Sequence, residues 1–260
     1  MPVHDEGGVG HDPSVTQYAT DANLAARQRL WNESHREPAF DLFEWVLSLV
    51  PARGRTVEVG CGNGSYLARR PGAVGVDLSM GMLASVTSAN PLVNADAQCL
   101  PFTDGAFDVV LAPHMLYHVP DRRAAAHELR RITRRGGVCV AVTNGGNARH
   151  QLKSLVESVV GNGWRWARDP EAEFKLENGA EQLAVAFESV ERLDAPTVTT
   201  YVTDPDLLAA YVGSIADAYE ASAGVPWSTV VDACRARATD VIERDGAFVI
   251  TGAVGAFVCR

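Results

Sequence analysis

Glycine stands at three alternating positions, Gly60, Gly62 and Gly64, between two segments of different character. The preceding residues 56–59 are mostly β-branched and predict a short buried strand. The following residues 65–70 predict a helix. Because glycine has no Cβ and tolerates positive φ, a ligand can approach the backbone closely at such a turn. A strand, a glycine turn and a helix are the parts of a nucleotide-binding crevice in an open α/β sheet.

Acidic side chains accompany three predicted strands of this segment. Glu58 lies just before the glycine turn, Asp77 ends a second predicted strand and Asp96 follows a third. Two carboxylates at successive strand ends suit an adenosine, one for the ribose hydroxyls and one for the adenine amino group. The run G-x-G-x-G lacks the third glycine spacing of a dinucleotide site. Together with Asp96, this spacing disfavours a nicotinamide-dependent oxidoreductase.

In their order along the chain, these segments resemble the class I S-adenosylmethionine-dependent methyltransferases. The matching segments cover roughly residues 55–143 and are Val57–Gly64, Gly75–Leu78, Asp96–Phe107, Phe107–Val110 and Arg135–Gly137. The resemblance implies an α/β fold: a Rossmann-like, mostly parallel sheet of seven strands with helices on both faces. Five of its strands are predicted near residues 55–60, 73–77, 92–95, 107–112 and 137–143.

A single methyltransferase domain, residues 1–260, is the predicted organisation. Residues 1–50 would form a mobile tail and a helical lid, with helices predicted over Ser14–Trp31 and after Pro38. Residues 51–143 would be the cofactor-binding core. Residues 144–260 would hold the last strands and helical insertions before and after the sixth strand, which is predicted at Ser189–Leu193.

The resemblance implies S-adenosyl-L-methionine as the cofactor. Tyr18 and Arg27 are candidates for contacting its methionine carboxylate, because the segment before the first strand often folds over the cofactor in the family; ordinary helix packing and a solvated face are the alternatives. The predicted cofactor contacts are Tyr18, Arg27, Glu58, Gly60, Cys61, Gly62, Asp77, Leu78, Met82, Asp96, Ala97 and Ala112. Cys61 could instead be a nucleophile, but a small residue beside the ligand is the favoured interpretation. A loop with Trp164 and Trp166 is predicted to cover the pocket.

Methyl transfer from a sulfonium requires alignment of an acceptor lone pair, and often removal of its proton by a base. His114 and His118, just after the fourth predicted strand, are the candidate catalytic residues. His114 is the preferred base, with activity expected to titrate near neutral pH; a structural histidine is the alternative. Four-residue spacing also occurs in metal sites, but no adjacent glutamate completes H-E-x-x-H, so no metal is expected.

A net charge of −9 and the absence of a Lys/Arg-rich run argue against nucleic acid as a partner. The residues Ala112–Met115 stand where methyltransferases acting on planar amino groups of bases and glutamine carry an N-P-P-Y type tetrapeptide. This difference disfavours N-methylation of adenine or glutamine.

Five scattered cysteines contain no C-x-x-C pair, which makes a zinc ribbon or a disulfide framework unexpected. No apolar run approaches the roughly 20 residues of a membrane span, and Met1–Gly10 is too polar for a signal peptide. A cytoplasmic protein, which could form a homodimer, is predicted.

The sequence therefore predicts methyl transfer from S-adenosylmethionine to an oxygen, nitrogen or carbon atom of a small molecule. Two alternatives remain open at this point. A methyltransferase acting on RNA or protein would share every motif up to residue 143. A non-catalytic protein would bind the cofactor without transferring its methyl group.

Overall fold

A computed structural model describes residues 18–161, 174–216 and 225–260 of the chain. The α-helices are α1 (Ala22–Asn32), α2 (Leu42–Ser48), α3 (Met80–Ser85), α4 (Arg122–Ile132), α5 (His150–Val160), α6 (Gly179–Leu183), α7 (Pro205–Ser214) and α8 (Trp227–Asp245). The strands are β1 (His35–Glu37), β2 (Thr56–Val59), β3 (Val74–Asp77), β4 (Leu92–Asn94), β5 (Phe107–Pro113), β6 (Thr133–Asn144), β7 (Val190–Asp194), β8 (Val198–Val202), β9 (Phe248–Gly252) and β10 (Val254–Cys259). Two short 3₁₀ turns lie at Leu67–Arg69 and Leu116–His118.

Seven strands form the main sheet in the order β4-β3-β2-β5-β6-β10-β7. The first five run parallel, while β10 is antiparallel to both β6 and β7. The central strands are buried on both faces, as parallel strands between helical layers must be, and β2 has no exposed residue along its length. One apolar cluster packs β2, β5 and β6 against α4, and another packs the opposite face against α2. The predicted Rossmann-like fold with a seven-stranded, mostly parallel sheet is confirmed.

A second, three-stranded antiparallel sheet, β1-β8-β9, is assembled from three distant parts of the chain. Helices α1, α5, α7 and α8 pack with this sheet around a separate apolar cluster that includes Leu30, Leu208 and Ile250. We call this unit the cap; it comprises the described residues 18–40, 145–161 and 195–252. The helical insertions before and after the sixth strand are present, but β8 and β9 accompany them.

Several helix boundaries follow from side-chain caps. Asp121 accepts a hydrogen bond from the Ala124 backbone N–H at the start of α4. Helix α2 begins after Asp41, whose carboxylate accepts from two backbone N–H groups, and not at the predicted Pro38. The helix predicted over residues 65–70 is reduced to the 3₁₀ turn Leu67–Arg69, since Pro71-Gly72 follows at once.

Some predictions fall outside the described residues. The tail, the first part of the helix predicted over Ser14–Trp31 and the loop with Trp164 and Trp166 all lie there. Within the described ranges, no helix is both long and apolar enough to cross a membrane.

Candidate active site

A cavity of about 1220 Å³ opens at the carboxyl ends of β2, β3 and β5, under the cap. It is lined both by the glycine turn and by residues of the second sheet. Single-ligand pockets are usually of the order of 300–1,000 Å³. The cavity is therefore larger than one small ligand requires, and its two walls belong to different sheets.

The glycine turn adopts the backbone conformation that its composition predicts. Gly60, Gly62 and Gly64 have φ values of 72°, 54° and 81°, which other L-residues adopt at a cost. A Cβ on Gly60 would lie 2.5 Å from the Cβ of Met115. Gly60 is thus required by packing as well as by conformation, whereas Gly62 faces the cavity with Leu24 and Met82 as its nearest side chains.

Glu58 and Asp77 place two carboxyl groups at the base of this turn. Burial, and then the negative charge of Asp77, raise the pKa of Glu58 well above its usual value. Its Oε2 is buried and has no hydrogen-bond partner. Burial also raises the pKa of Asp77, although backbone N–H groups of Ser79, Gly62 and Leu78 oppose the rise. Oε2 of Glu58 is therefore an unsatisfied polar atom to which a bound ligand could hydrogen-bond.

The remaining predicted adenosine contacts are distributed as follows. Leu78 (54% exposed), Met82, Asp96 and Ala97 all line the cavity. The Asp96 carboxylate accepts hydrogen bonds from Gln98. Ala112 is the exception: it is fully buried in β5 and is not among the described lining residues, and the next residue, Pro113, lines the cavity instead. Because alternate residues of a strand face opposite sides, a one-residue difference is enough to remove Ala112 from the site.

Tyr18, Arg27 and His118 form one hydrogen-bonded chain across the mouth of the cavity. Arg27 Nη1 donates to Tyr18 Oη at 3.0 Å, and Tyr18 Oη lies 2.9 Å from His118 Nε2. The Tyr18 and His118 rings also make an edge contact, with centroids 5.1 Å apart. Arg27 additionally donates to the backbone oxygen and the hydroxyl of Ser214 in α7. His118 therefore supports the residues at the cavity mouth.

His114 occupies the bend between β5 and the 3₁₀ turn, and it does not share a helix with His118. Its backbone is in the left-handed region, with φ of 54°, and its imidazole lines the cavity without a hydrogen bond to the described residues. Burial, together with the positive charge of Arg149, lowers the pKa of His114 to about 4. The expected titration near neutral pH is corrected accordingly: the imidazole is neutral throughout that range.

Cys61 lines the cavity, and burial raises the pKa of its thiol beyond the range in which a thiolate forms at neutral pH. A nucleophilic Cys61 is thus disfavoured, and the small residue beside the ligand remains the better interpretation. Within the described ranges, no three histidine, cysteine or acidic side chains gather into a metal-binding group.

Sequence reasoning missed several lining residues, among them Arg36, Tyr66, Asn144, Arg149 and Thr200. Asn144 is the first residue of the Asn-Gly-Gly-Asn segment that ends β6, and Arg149 follows it closely. This position at the carboxyl edge of the sheet could have indicated both residues. Arg36 and Thr200 belong to the cap sheet, whose pairing no local pattern reveals.

The strand order, the glycine turn and the acidic strand ends define a Rossmann-like nucleotide-binding fold of the methyltransferase type. Residues 57–141 match the family model described as a methyltransferase domain. This part of the chain is similar to the class I S-adenosylmethionine-dependent methyltransferases, a family whose members in general use S-adenosylmethionine.

The chain is also similar in sequence to curated methyltransferases and similar in fold to a solved structure. The chain is 37% identical over 115 residues to a demethylmenaquinone methyltransferase of Mycolicibacterium vanbaalenii, covering 43% of this chain and 47% of the relative. It is 31% identical over 164 residues to the 27-O-demethylrifamycin SV methyltransferase of Amycolatopsis mediterranei, covering 52% and 57%. The chain thus spans about half the length of these relatives. A solved methyltransferase from an antibiotic biosynthesis pathway of Anabaena variabilis shares the fold, with a TM-score of 0.60 at 14% identity over 83% of this chain and 95% of that one.

Proposed function

We propose that this protein transfers a methyl group from S-adenosyl-L-methionine to an oxygen, nitrogen or carbon atom of a small-molecule acceptor. The observation that carries the proposal is the continuity of the cavity. It extends from the glycine turn and the acidic strand ends to Arg36, Val198 and Thr200 of the second sheet, a part of the cavity that we call the acceptor chamber. A cofactor at the first wall and an acceptor at the second would share one enclosed space.

The residues at the first wall fit the cofactor. A carboxylate has about four acceptor positions, and Asp77 uses some of them for backbone N–H groups of Gly62 and Ser79. The remaining positions can receive the ribose hydroxyls. Leu78 offers an exposed apolar surface for the adenine, beside Asp96 and Ala97. Glu58 Oε2, which has no hydrogen-bond partner, would form a hydrogen bond with a polar group of the cofactor.

Tyr18 and Arg27 would close the cofactor end. Both face the cavity mouth, and the Arg27 guanidinium carries a positive charge beside it that suits the methionine carboxylate. Closure of such a segment excludes water from the reacting atoms. His118, hydrogen-bonded to Tyr18, would position this residue.

The bound cofactor would supply an electrophilic methyl group on a sulfonium, and the chain would orient the acceptor toward it. Orientation alone contributes roughly 7–11 kcal/mol in well-aligned systems. His114 is our candidate for the base that takes the acceptor's proton, because it is neutral, lines the cavity and is not engaged by a described side chain. Its lowered pKa suits an acceptor that gives up its proton easily.

A small-molecule acceptor is supported by two observations. The relatives reported above are named for demethylmenaquinone and demethylrifamycin, and a third, from Legionella pneumophila, is named for malonyl-[acyl-carrier protein]. A net charge of −9 opposes attraction to RNA. RNA or protein acceptors, and binding without transfer, remain outcomes of the test.

Calorimetry with S-adenosylhomocysteine tests the cofactor site. The Asp77→Ala substitution should weaken binding by about 1–3 kcal/mol, since charge-assisted hydrogen bonds are lost. The Gly62→Val substitution should weaken it further, because branched carbons would occupy space that the ligand needs and would strain a backbone at φ 54°. Unaltered affinity in both variants would remove the glycine turn from the site. Formation of S-adenosylhomocysteine from S-adenosylmethionine and small-molecule extracts then separates transfer from binding alone.

A further inference from the structure

The acceptor chamber has one wall made by the cap sheet. Arg36 of β1 and Thr200 of β8 are direct cross-strand partners. Directly opposed residues in antiparallel strands project to the same face, and both of these residues line the cavity. One guanidinium and one hydroxyl therefore stand side by side on this wall.

Among the residues that the structure describes, Arg36 differs from the other arginines of the cavity because its guanidinium has no hydrogen-bond partner. Arg27 donates to Ser214, Arg149 donates to Tyr211, and Arg69 donates to the Ser65 carbonyl. The Arg36 Nε is buried without a hydrogen-bond acceptor, and no described acidic side chain forms an ion pair with its guanidinium.

Asp41, the acidic residue whose charge acts on Arg36, already has other partners. The Asp41 carboxylate raises the pKa of Arg36 against the larger, lowering effect of burial. However, that carboxylate caps α2 by accepting from the backbone N–H of Phe43 and of Glu44, and it lies 3.9 Å from Arg69. A buried donor without an acceptor is costly, and a ligand that supplies the acceptor recovers that cost.

The residues around Arg36 limit which chemical class of ligand could bind there. A guanidinium presents a planar fork that matches a carboxylate in two parallel hydrogen bonds. The same cavity already holds the acidic groups of Asp77 and Asp96, so one unpartnered cation balances a single added negative charge better than the two of a phosphate. Apolar surface from Phe40, Pro196 and Val198 lies along the same chamber.

We propose that the acceptor is a carboxylic acid with an apolar body, and that Arg36 and Thr200 bind its carboxylate. This inference rests on the proposed function, since it names the substrate class of the same cavity. Arg36 would fix one end of the acceptor at the cap sheet. The other end would then reach toward His114 and the methyl donor.

Benzoate and benzamide are matched probes, because they have the same shape and differ in charge. We would titrate each into protein loaded with S-adenosylhomocysteine and follow the arginine Nε–H signals by NMR and the affinity by calorimetry. Benzoate should bind about tenfold or more tightly than benzamide and should shift the Arg36 signal. The Arg36→Gln substitution should abolish this preference, and Arg36→Lys should retain part of it.

The control is Arg123→Gln, which removes the same charge from an exposed arginine of α4 that is not among the described lining residues. It should leave the preference for benzoate intact. Thr200→Val removes the hydroxyl at nearly constant volume, so it should weaken the binding of benzoate but not that of benzamide. Equal or undetectable binding of both probes to the wild type, or a preference that survives Arg36→Gln, would overturn the assignment.

The two proposals fail in different ways. Loss of the proposed function would appear as no binding of S-adenosylhomocysteine to the wild-type protein. In that event, the same titration without S-adenosylhomocysteine still tests Arg36. Normal binding of S-adenosylhomocysteine with no preference for benzoate would reject the carboxylate site and leave the cofactor site standing.

Discussion

His114 combines an uncommon backbone conformation with an unusual electrostatic setting. A left-handed residue other than glycine is uncommon, although histidine, asparagine and aspartate are enriched among such cases. Here the bend turns the imidazole into the cavity immediately after the buried strand β5. Strain of this kind is concentrated at functional sites in proteins, which supports the role that we propose for His114.

We expect His114→Asn to lower turnover by roughly 10²–10⁴-fold, the usual contribution of a positioned base. Asparagine tolerates the left-handed conformation, so the fold should be retained. Affinity for S-adenosylhomocysteine, measured by calorimetry, should change little. Near-normal turnover in this variant would mean that alignment alone accounts for the reaction.

Stability should also depend on pH through this residue. Because the pKa of His114 is lowered to about 4, the unfolded chain binds a proton more readily than the folded chain between that value and the ordinary histidine pKa of about 6.5. The contribution of His114 to stability is thus fully present above about pH 6.5 and is lost as the pH falls toward 4. Urea titrations across this interval should show a smaller loss for His114→Asn than for the wild type.

At the residue scale, the sequence predicts the parts of the site that local patterns encode. Gly60, Gly62, Glu58 and Asp77 line the cavity, because a strand followed by a glycine turn has few alternative geometries. Ala112 is fully buried in β5, and its neighbour Pro113 lines the cavity. Arg36 could not be found, since it reaches the cavity through pairing with a strand far away in sequence.

At the scale of elements, the contact between the segment before α1 and the start of α3 holds the cavity mouth together. The Ser79 hydroxyl donates to the Tyr18 carbonyl oxygen at 2.6 Å and also caps α3. Gly81 lies directly beneath this crossing, where a Cβ would collide with the carbonyl oxygen of Ala19. The absence of a side chain at Gly81 therefore allows Tyr18 to reach His118.

The Gly81→Ala substitution should displace Tyr18 and weaken S-adenosylhomocysteine binding by roughly tenfold, the scale of one lost polar contact of about 1.4 kcal/mol. Gly213→Ala in α7 is the matched control, because a Cβ there meets only ordinary van der Waals contact. That control should keep its affinity and gain up to about 1 kcal/mol of stability, as alanine replaces glycine within a helix. Equal affinities in the two variants, measured by calorimetry, would contradict the role given to this crossing.

The sequence predicted the parallel strands of the main sheet but not β1 and β8 of the cap sheet. The five parallel strands lie within a few residues of their predicted positions, and helices lie before and after the sixth strand, as predicted. The three-residue β1, His-Arg-Glu, has no apolar alternation that could identify it. The β8 sequence Val-Thr-Thr-Tyr-Val is rich in β-forming residues and could have been recognised, but its partners could not.

At the scale of the whole molecule, Arg27 of the cap connects α7 to Tyr18, which in turn is hydrogen-bonded to His118 on the main-sheet side of the cavity. Its guanidinium bonds Tyr18 at the cavity mouth and Ser214 at the end of α7, which belongs to the apolar cluster of the cap. A ligand that binds Arg27 should therefore affect both the cavity mouth and helix α7.

Hydrogen exchange should reveal this connection. Addition of S-adenosylhomocysteine should slow amide exchange in α1 and in α7, by roughly 5–150-fold if the coupling has the usual size of 1–3 kcal/mol. The Arg27→Lys substitution keeps the charge but loses the planar fork, so protection of α7 should diminish while protection of the glycine turn remains. Arg29→Lys, an exposed position on the same helix that pairs with Glu33, is the control. Equal amide exchange rates in α7 of the wild type with and without S-adenosylhomocysteine would contradict the coupling.

The arrangement of the cap sheet also has a consequence for synthesis. Its central strand pairs on one side with a segment that precedes the whole main sheet, and on the other with a segment that follows α8. On the ribosome, the parallel strands β2 to β6 emerge long before β9 does. Local contacts form early in folding and distant pairings late. A nascent chain would therefore complete its cofactor-binding strands first, and the acceptor chamber would be closed only when β9 has emerged and joined the sheet.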